Sequence, residues 1–195
     1  MPWLIKPMRM RKLRTIEMNR LTVDEFKASE KLPVVVVLDD VRSLYNVGSV
    51  FRTGDAFRVE AVFLCGITAC PPHPEIHKTA LGGEDSVEWR YFATAREAVA
   101  YLQEKGYQVY AVEQAEGSTM LQDLHVDPRG YYAVVFGNEV KGVHQEVVDQ
   151  CDGCIEIPQF GTKHSMNVSV TTGIVIWEMV RQLIPTPDPS KGGEV

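Results

Sequence analysis

The first sustained apolar run in the chain is Leu32 to Leu38, in which Val34, Val35, Val36 and Val37 follow Pro33. A β-branched run without alternation predicts a strand over Val34 to Leu38, buried on both faces of a parallel sheet. Ahead of it, Leu21-Thr22-Val23-Asp24-Glu25-Phe26 has the form of a helix start. Thr22 can cap, Glu25 completes a capping box, and Leu21 can staple against Phe26. Beyond it, the spacing predicts a helix over about Val47 to Phe57 and a second strand over Ala61 to Cys65. A further helix is expected from Thr94 to Gly106, with Thr94 and Glu97 as a capping box, Ala98, Val99 and Leu102 facing inward, and Gly106 as the stop. Strands over Gln108–Val112 and Tyr131–Phe136, a short helix His144–Gln150, a short strand Cys154–Ile157 and a closing helix Val168–Leu183 complete the series. Ala69 to Trp89, with Pro71, Pro72 and Pro74, reads as a long and mostly irregular connection, a kind of segment that usually carries function. Strands alternating with helices predict an α/β domain with a mostly parallel sheet flanked by helices, binding its ligand beyond the carboxyl ends of the strands.

Composition narrows the class without changing that picture. The 195 residues suit one domain, and 45% hydrophobic with 24% charged residues describes a globular chain. Leu32 to Leu38 is too short to span a membrane, and no secretory signal opens the chain, so a cytoplasmic location and no membrane partner are expected. Four cysteines do not make a disulfide scaffold. Cys65, Cys70, His73 and His77, or the pair Cys151 and Cys154, lack the tight paired spacing of a zinc site, and Cys65 and Cys154 fall in strands. No metal is expected. Net charge is −6, yet residues 1–20 hold six basic side chains (Lys6, Arg9, Arg11, Lys12, Arg14, Arg20) against Glu17 alone. This is either an arm that meets phosphates or a solvated tail. The stretch 185–195, with three prolines and two glycines, is expected to be disordered. The expected organisation is therefore a basic arm over 1–20, one domain over 21–184 and a tail over 185–195.

Three strand-to-helix loops carry the candidate chemistry. The first, Asp39 to Gly54, contains Asn46, Gly48, Ser49 and Arg52. If both are helical, Asn46 and Arg52 lie roughly 9 Å apart along the axis. Gly48 and Ser49 would let a ligand or another chain approach, and Arg52 could clamp a phosphate or pair with a surface carboxylate. The second runs Val134 to Val143, where Gly137 permits close backbone approach and Glu139 could hold a polar group or an arginine. The third runs Ile155 to Gly173, feeding a helix whose start is rich in small residues; Ser165 or Asn167 could cap it.

Taken in order, Asn46-x-Gly48-x-x-x-Arg52, Phe136-Gly137-Asn138-Glu139-x-x-Gly142 and Ile157-Pro158-x-x-Gly161-x-x-x-Ser165-Met166-Asn167-Val168-Ser169 resemble the three signature motifs of the SpoU (TrmH-like) RNA 2′-O-ribose methyltransferases of the SPOUT superfamily. The resemblance covers about residues 34–184. It implies an α/β fold with a C-terminal deep trefoil knot, a homodimer whose site uses both subunits, with the Val168–Leu183 helix in the interface, and S-adenosylmethionine as cofactor. It further implies methyl transfer to a ribose 2′-hydroxyl of tRNA or rRNA. The implied cofactor residues are Gly137, Ile157, Pro158, Gly161, Ser165 and Met166. Arg52 is the implied key catalytic residue, aided by Asn46, Glu139, Ser165 and Asn167. An arginine base is demanding, because its pKa exceeds about 12; clamping the RNA phosphate is the easier role.

Arg9, Arg11, Lys12, Arg14, Arg42 and Arg52 are the expected RNA contacts. Met166 stands where leucine is usual, Gln159 where methionine is frequent, and Thr171 and Thr172 where alanines are common. The separate RNA-binding domain present in many relatives is not expected here, and the arm and the loop Pro71–Glu84 are expected to replace it. Two rival classes remain. A catalytically silent RNA-binding or assembly factor need not keep Asn46, Arg52, Glu139, Ser165 and Asn167. A Rossmann oxidoreductase lacks its GxGxxG after the first strand.

Overall fold

The computed structural model describes residues 11–184. The first half of the domain comprises α1 (Val23–Ala28), β1 (Leu32–Asp39), α2 (Leu44–Phe57), β2 (Val59–Cys65), α3 (Pro74–Ala80), α4 (Gly83–Ser86) and β3 (Glu88–Phe92). The second comprises α5 (Ala95–Glu104), β4 (Gln108–Val112), β5 (Thr119–Met120), β6 (Tyr132–Phe136), α6 (Gln145–Val148), β7 (Gly153–Glu156) and α7 (Val168–Leu183). The strands form one sheet in the order β3-β2-β1-β6-β4-β7-β5, and every pairing is parallel.

The valine run sits where its pattern requires. β1 lies between β2 and β6, with Val35 facing Ala61 on one side and Ala133 on the other. Val34, Val36 and Leu38 join a core shared with α2 and α7, while Val35 and Val37 join a second core under α5. Both faces are thus covered, which is why the run lacks alternation. The capping box at Thr22 and Glu25 forms as expected, Glu25 Oε2 accepting from the Thr22 N–H at 2.7 Å. At α5, Thr94 accepts from the Glu97 N–H, and Ala98, Val99 and Leu102 are buried. No helix among the described residues is long and apolar enough to cross a membrane.

Three expectations need correction. The stretch from Ala69 to Trp89 is not mostly irregular, because it forms α3, α4 and the start of β3. Pro74 occupies the first turn of α3, the His73 ring accepts from the Glu75 N–H at 3.1 Å, and Ile76 and Ala80 are buried. A proline that looks like a loop signal is here a helix-start residue. β3 escaped notice because it is an edge strand whose first four residues are exposed, leaving no inward period. Finally, α2 begins at Leu44 rather than Val47, since Ser43 caps it by accepting from the Asn46 N–H. Arg9 and the tail 185–195 lie outside the described residues.

Candidate functional site

β1, β6 and β4 are adjacent in the sheet, with β7 next to β4, so the loops that follow them converge on its carboxyl edge. Glu139, in the loop after β6, turns towards the loop after β1. Its carboxylate accepts from the Arg42 N–H (3.2 Å), the Ser43 N–H (3.1 Å) and the Asn46 side-chain amide (2.9 Å). Asn46 in turn accepts from the Asn167 side-chain amide at 3.1 Å. One hydrogen-bonded chain, Glu139–Asn46–Asn167, therefore joins all three motif loops. Partial burial alone would raise the Glu139 carboxyl. The bonds from Asn46, Arg42 and Ser43 outweigh it and hold the group below its ordinary value.

Each partner is fixed by its own element. Asn46 is buried in the first turn of α2. Asn167 caps α7, accepting from the Ser169 N–H at 2.9 Å, which settles the choice left open between Ser165 and Asn167. Further along α7, the Thr172 hydroxyl donates to the Val168 carbonyl at 2.7 Å, so this threonine is buried without an unpaired hydroxyl. The loop carrying Glu139 is held at its base by Asn138, whose side-chain oxygen accepts from the Val140 and Lys141 N–H groups at 2.9 and 2.8 Å. At Gly137 a Cβ would collide with the backbone of Gly142 and Val143, so only glycine lets the loop close on itself.

A cavity of about 460 Å³ opens beside this cluster. Gly137, Glu139, Ile157, Ser165, Met166 and Asn167 line it, as do Phe136 and Ile155. Pro158 and Gly161 lie outside that lining, although Gln159 between them belongs to it. Gly48 serves a different purpose from the one its sequence suggested: a Cβ there would strike the Ile76 carbonyl and the Thr79 hydroxyl, so it admits α3 rather than a ligand. Arg52 is exposed on α2 and does not line the cavity of its own chain. Among the described residues it forms no ion pair, so it is not tied to a surface carboxylate. Arg42 reaches the cluster through its backbone while its side chain faces solvent. In the arm, Arg11 pairs with Glu17 at 2.8 Å and Arg14 approaches the same carboxylate at 3.6 Å.

Three functional positions went unread in the sequence. Glu113 and Gln114, just past β4, line the cavity. Glu113 accepts from the Val143 N–H at 3.0 Å, and Gln114 donates to the His164 carbonyl at 2.8 Å, so both brace motif loops. Their position immediately after a strand was the available signal. The third is the buried Asp39, whose carboxylate accepts from the His144 N–H at 3.0 Å and faces its ring nitrogen Nδ1 at 2.9 Å. It anchors the far end of the Glu139 loop. Cys65 is buried at the end of β2, and burial pushes its thiol up.

An all-parallel sheet whose neighbouring strand ends deliver three interlocked loops to one cavity defines an α/β protein with its site at the carboxyl edge. The chain belongs to the SpoU rRNA Methylase family, whose model matches residues 33–177. It is 33% identical over 165 residues to the 23S rRNA (guanosine-2′-O-)-methyltransferase RlmB of Shewanella oneidensis, covering 82% of this chain and 64% of that protein. To the Vibrio cholerae protein of the same name it is 32% identical over 167 residues, covering 85% and 66%. The chain thus spans slightly less than two thirds of these relatives' length. Among solved structures, the A. aeolicus TrmH/SpoU tRNA modifying enzyme superposes with a TM-score of 0.72 at 25% identity, covering 82% of this chain and 81% of that one. The AdoMet-bound rRNA methyltransferase from Sinorhizobium meliloti gives 0.71 at 27%, covering 80% and 61%.

Proposed function

We propose that this protein is a cytoplasmic homodimer that transfers a methyl group from S-adenosylmethionine to a ribose 2′-hydroxyl of tRNA or rRNA. The observation that carries this reading is the Glu139–Asn46–Asn167 chain, which links the three family motifs beside one cavity. The names of the relatives in Shewanella and Vibrio support the ribose oxygen as acceptor. The Sinorhizobium neighbour with AdoMet bound supports the cofactor.

The cavity fits that cofactor in size and chemistry. About 460 Å³ falls in the usual range for small ligands. Its walls combine Phe136, Ile155, Ile157 and Met166 with Glu113, Gln114 and Asn138, a mixture suited to a flat base joined to a polar sugar and a charged tail. Gly137, Ile157, Ser165 and Met166 would hold the cofactor directly, with Pro158 and Gly161 shaping the loop behind them. The cofactor supplies a methyl group on a sulfonium, whose leaving ability is already high. What remains for the protein is to place the ribose hydroxyl and manage its proton. Glu139, Asn46 and Asn167 form a rigid polar frame for that hydroxyl, and Ser165 adds a free hydroxyl at the cavity wall. Arg52, a permanent cation, clamps the adjacent phosphate.

Arg52 stands away from the cavity of its own chain, which supports a site completed by a second protomer. The outer face of α7 supports the same arrangement, since Val170, Ile174 and Trp177 are exposed along one stripe. The C-terminal knot belongs to this reading too. It is supported by the late strand β7 entering between the earlier strands β4 and β5. The arm, with Arg9, Arg11, Lys12 and Arg14, together with Arg42, supplies further RNA contacts.

Calorimetry with S-adenosylmethionine, followed by mass-spectrometric mapping of ribose methylation in total RNA with and without the gene, tests the proposal. We expect saturable binding and the loss of a 2′-O-methyl mark. Absence of cofactor binding by the full chain would overturn the reading.

A further inference from the structure

Phe160 has the most exposed side chain among the large hydrophobic residues of the described structure, at 95%. Phenylalanine normally contributes to a core, and one held entirely in water draws its reason from something it meets there. Its position is specific. The loop from Ile157 to Asn167 lines the cavity with Ile157 and Gln159 on one limb and His164, Ser165, Met166 and Asn167 on the other. The tip between them, Phe160 to Lys163, leaves the lining and is exposed throughout. Both limbs are tied down, one by β7 and the other by the Gln114 bond to the His164 carbonyl and the Asn167 cap of α7. A braced loop therefore carries one aromatic ring and one cation, Lys163, past the rim.

Other charge near the cavity has the matching sign for a polyanion. Lys141 lines the cavity from the loop after β6, and the exposed Arg42 side chain stands beside the Glu139 cluster. Of the three carboxylates that line the cavity, Glu139 and Glu113 are already occupied as acceptors for backbone N–H groups, and Glu156 accepts from the Ser118 hydroxyl at 2.7 Å. A flat hydrophobic ring at the mouth of a site with such cations matches the alternation of base and phosphate in a single-stranded nucleic acid.

We propose that Phe160 stacks on a nucleobase of the substrate RNA, at or next to the nucleotide whose ribose is presented to the cavity. The inference rests on the reading of the site as an RNA ribose methyltransferase. It adds a base-contacting residue at a variable position of the third motif, between Pro158 and Gly161. Stacking splays the base away from its neighbours and turns the attached ribose towards the cavity, while Lys141, Lys163 and Arg42 hold the flanking phosphates. Since every base has a π-face, Phe160 contributes affinity and orientation rather than sequence choice.

The test uses the full chain with Phe160→Ala, Phe160→Leu, Phe160→Tyr and Phe160→Trp, and unmodified rRNA and tRNA transcripts as probes. RNA affinity is measured by filter binding, cofactor affinity by calorimetry and mass by sedimentation. Loss of one base stack corresponds to roughly a 5- to 100-fold weaker RNA affinity. We expect Phe160→Ala and Phe160→Leu to show that loss, and Phe160→Tyr and Phe160→Trp to restore binding. Cofactor affinity and mass should be the same in all four. RNA binding by Phe160→Leu equal to that of the unsubstituted protein would overturn the proposal, because leucine keeps the apolar bulk and loses only the π-face. A change of mass would overturn it in favour of a contact between copies of the chain, and a loss of cofactor affinity in favour of a cavity role. RNA binding is read without turnover, so a failure of cofactor binding by the unsubstituted protein would sink the methyltransferase reading and leave the stacking measurement decisive by itself.

Discussion

Two helices cover the sheet from opposite sides, and they finish their work differently. α5 buries Ala95, Ala98, Val99 and Leu102 and turns Arg96, Glu97 and Glu104 outward, so its layer is closed towards water. α7 buries Val168, Thr172, Val175, Ile176, Met179 and Leu183, yet its outer face still carries Val170, Ile174 and Trp177. The spacing of four and three residues places these on one stripe, and Trp177 also leans on Phe57 of α2 with ring centroids 6.0 Å apart. The same α2 bears Arg52, outside the cavity of its own chain. One side of the molecule is a finished surface, and the other has both an uncovered apolar stripe and an unassigned cation. In the proposed dimer, one contact would answer both.

The largest expected effect breaks the site at that boundary. Arg52→Ala should lower methyl transfer by about 10²- to 10⁴-fold while calorimetry finds cofactor affinity nearly intact. Glu139→Ala should also be inactive, because it removes the acceptor that holds Arg42, Ser43 and Asn46 in place. Mixing the two inactive chains separates a shared site from a self-contained one. If Arg52 acts across the interface, exchange of subunits gives mixed dimers with one whole site, and about a quarter of the wild-type rate returns. If Arg52 serves its own chain, the mixture stays silent, and the open side of the molecule has no catalytic meaning.

A smaller effect is expected from charging the two outer faces in turn. Trp177→Glu and Ile174→Lys on α7 should weaken self-association by about 100-fold or more, since a charge would have to be desolvated at the contact. Ala100→Glu on the exposed face of α5 should leave it unchanged. Sedimentation equilibrium decides. Two α7 variants are needed because Trp177 also packs on Phe57 within the chain. Equal association constants for the α5 and α7 substitutions would erase the contrast drawn between the two helices.

How much of this was legible beforehand varied with what set each element. Where burial decided, the sequence was readable: the β1 valines, the inward face of α5 and the whole of α7 stand where their periods put them. Pro74 misled, because a proline at the first helical position and one in a loop look alike until the His73 cap is seen. β3 was silent, since an edge strand with four exposed residues has no buried period to betray it. At the site, Asn46, Glu139 and Asn167 could be named from motif order, whereas their mutual bonds depend on which strands are neighbours. Glu113 and Asp39 were hidden for the same reason: each binds a loop distant in sequence, Val143 and His144 respectively.

The smallest expected effect concerns the arm, which belongs to neither helix layer and asks whether RNA is met beyond the open side. Its basic excess is partly spent internally, because Arg11 and Arg14 share Glu17 around a short helical turn at Thr15–Met18. These pairs are exposed and screened, so phosphate oxygens can displace Glu17 at little cost. Deleting residues 1–20 should therefore weaken RNA binding several-fold and flatten its salt dependence by about 0.7–0.9 in the logarithmic slope for each phosphate that the arm had neutralised. Cofactor affinity and the association constant should not move, since none of the described arm residues, 11–20, lines the cavity. A slope identical to that of the full chain would mean that the arm touches no phosphate. All electrostatic contact would then belong to the Arg52 clamp and the cavity rim, where Arg42, Lys141 and Lys163 would have to account with it for the measured slope.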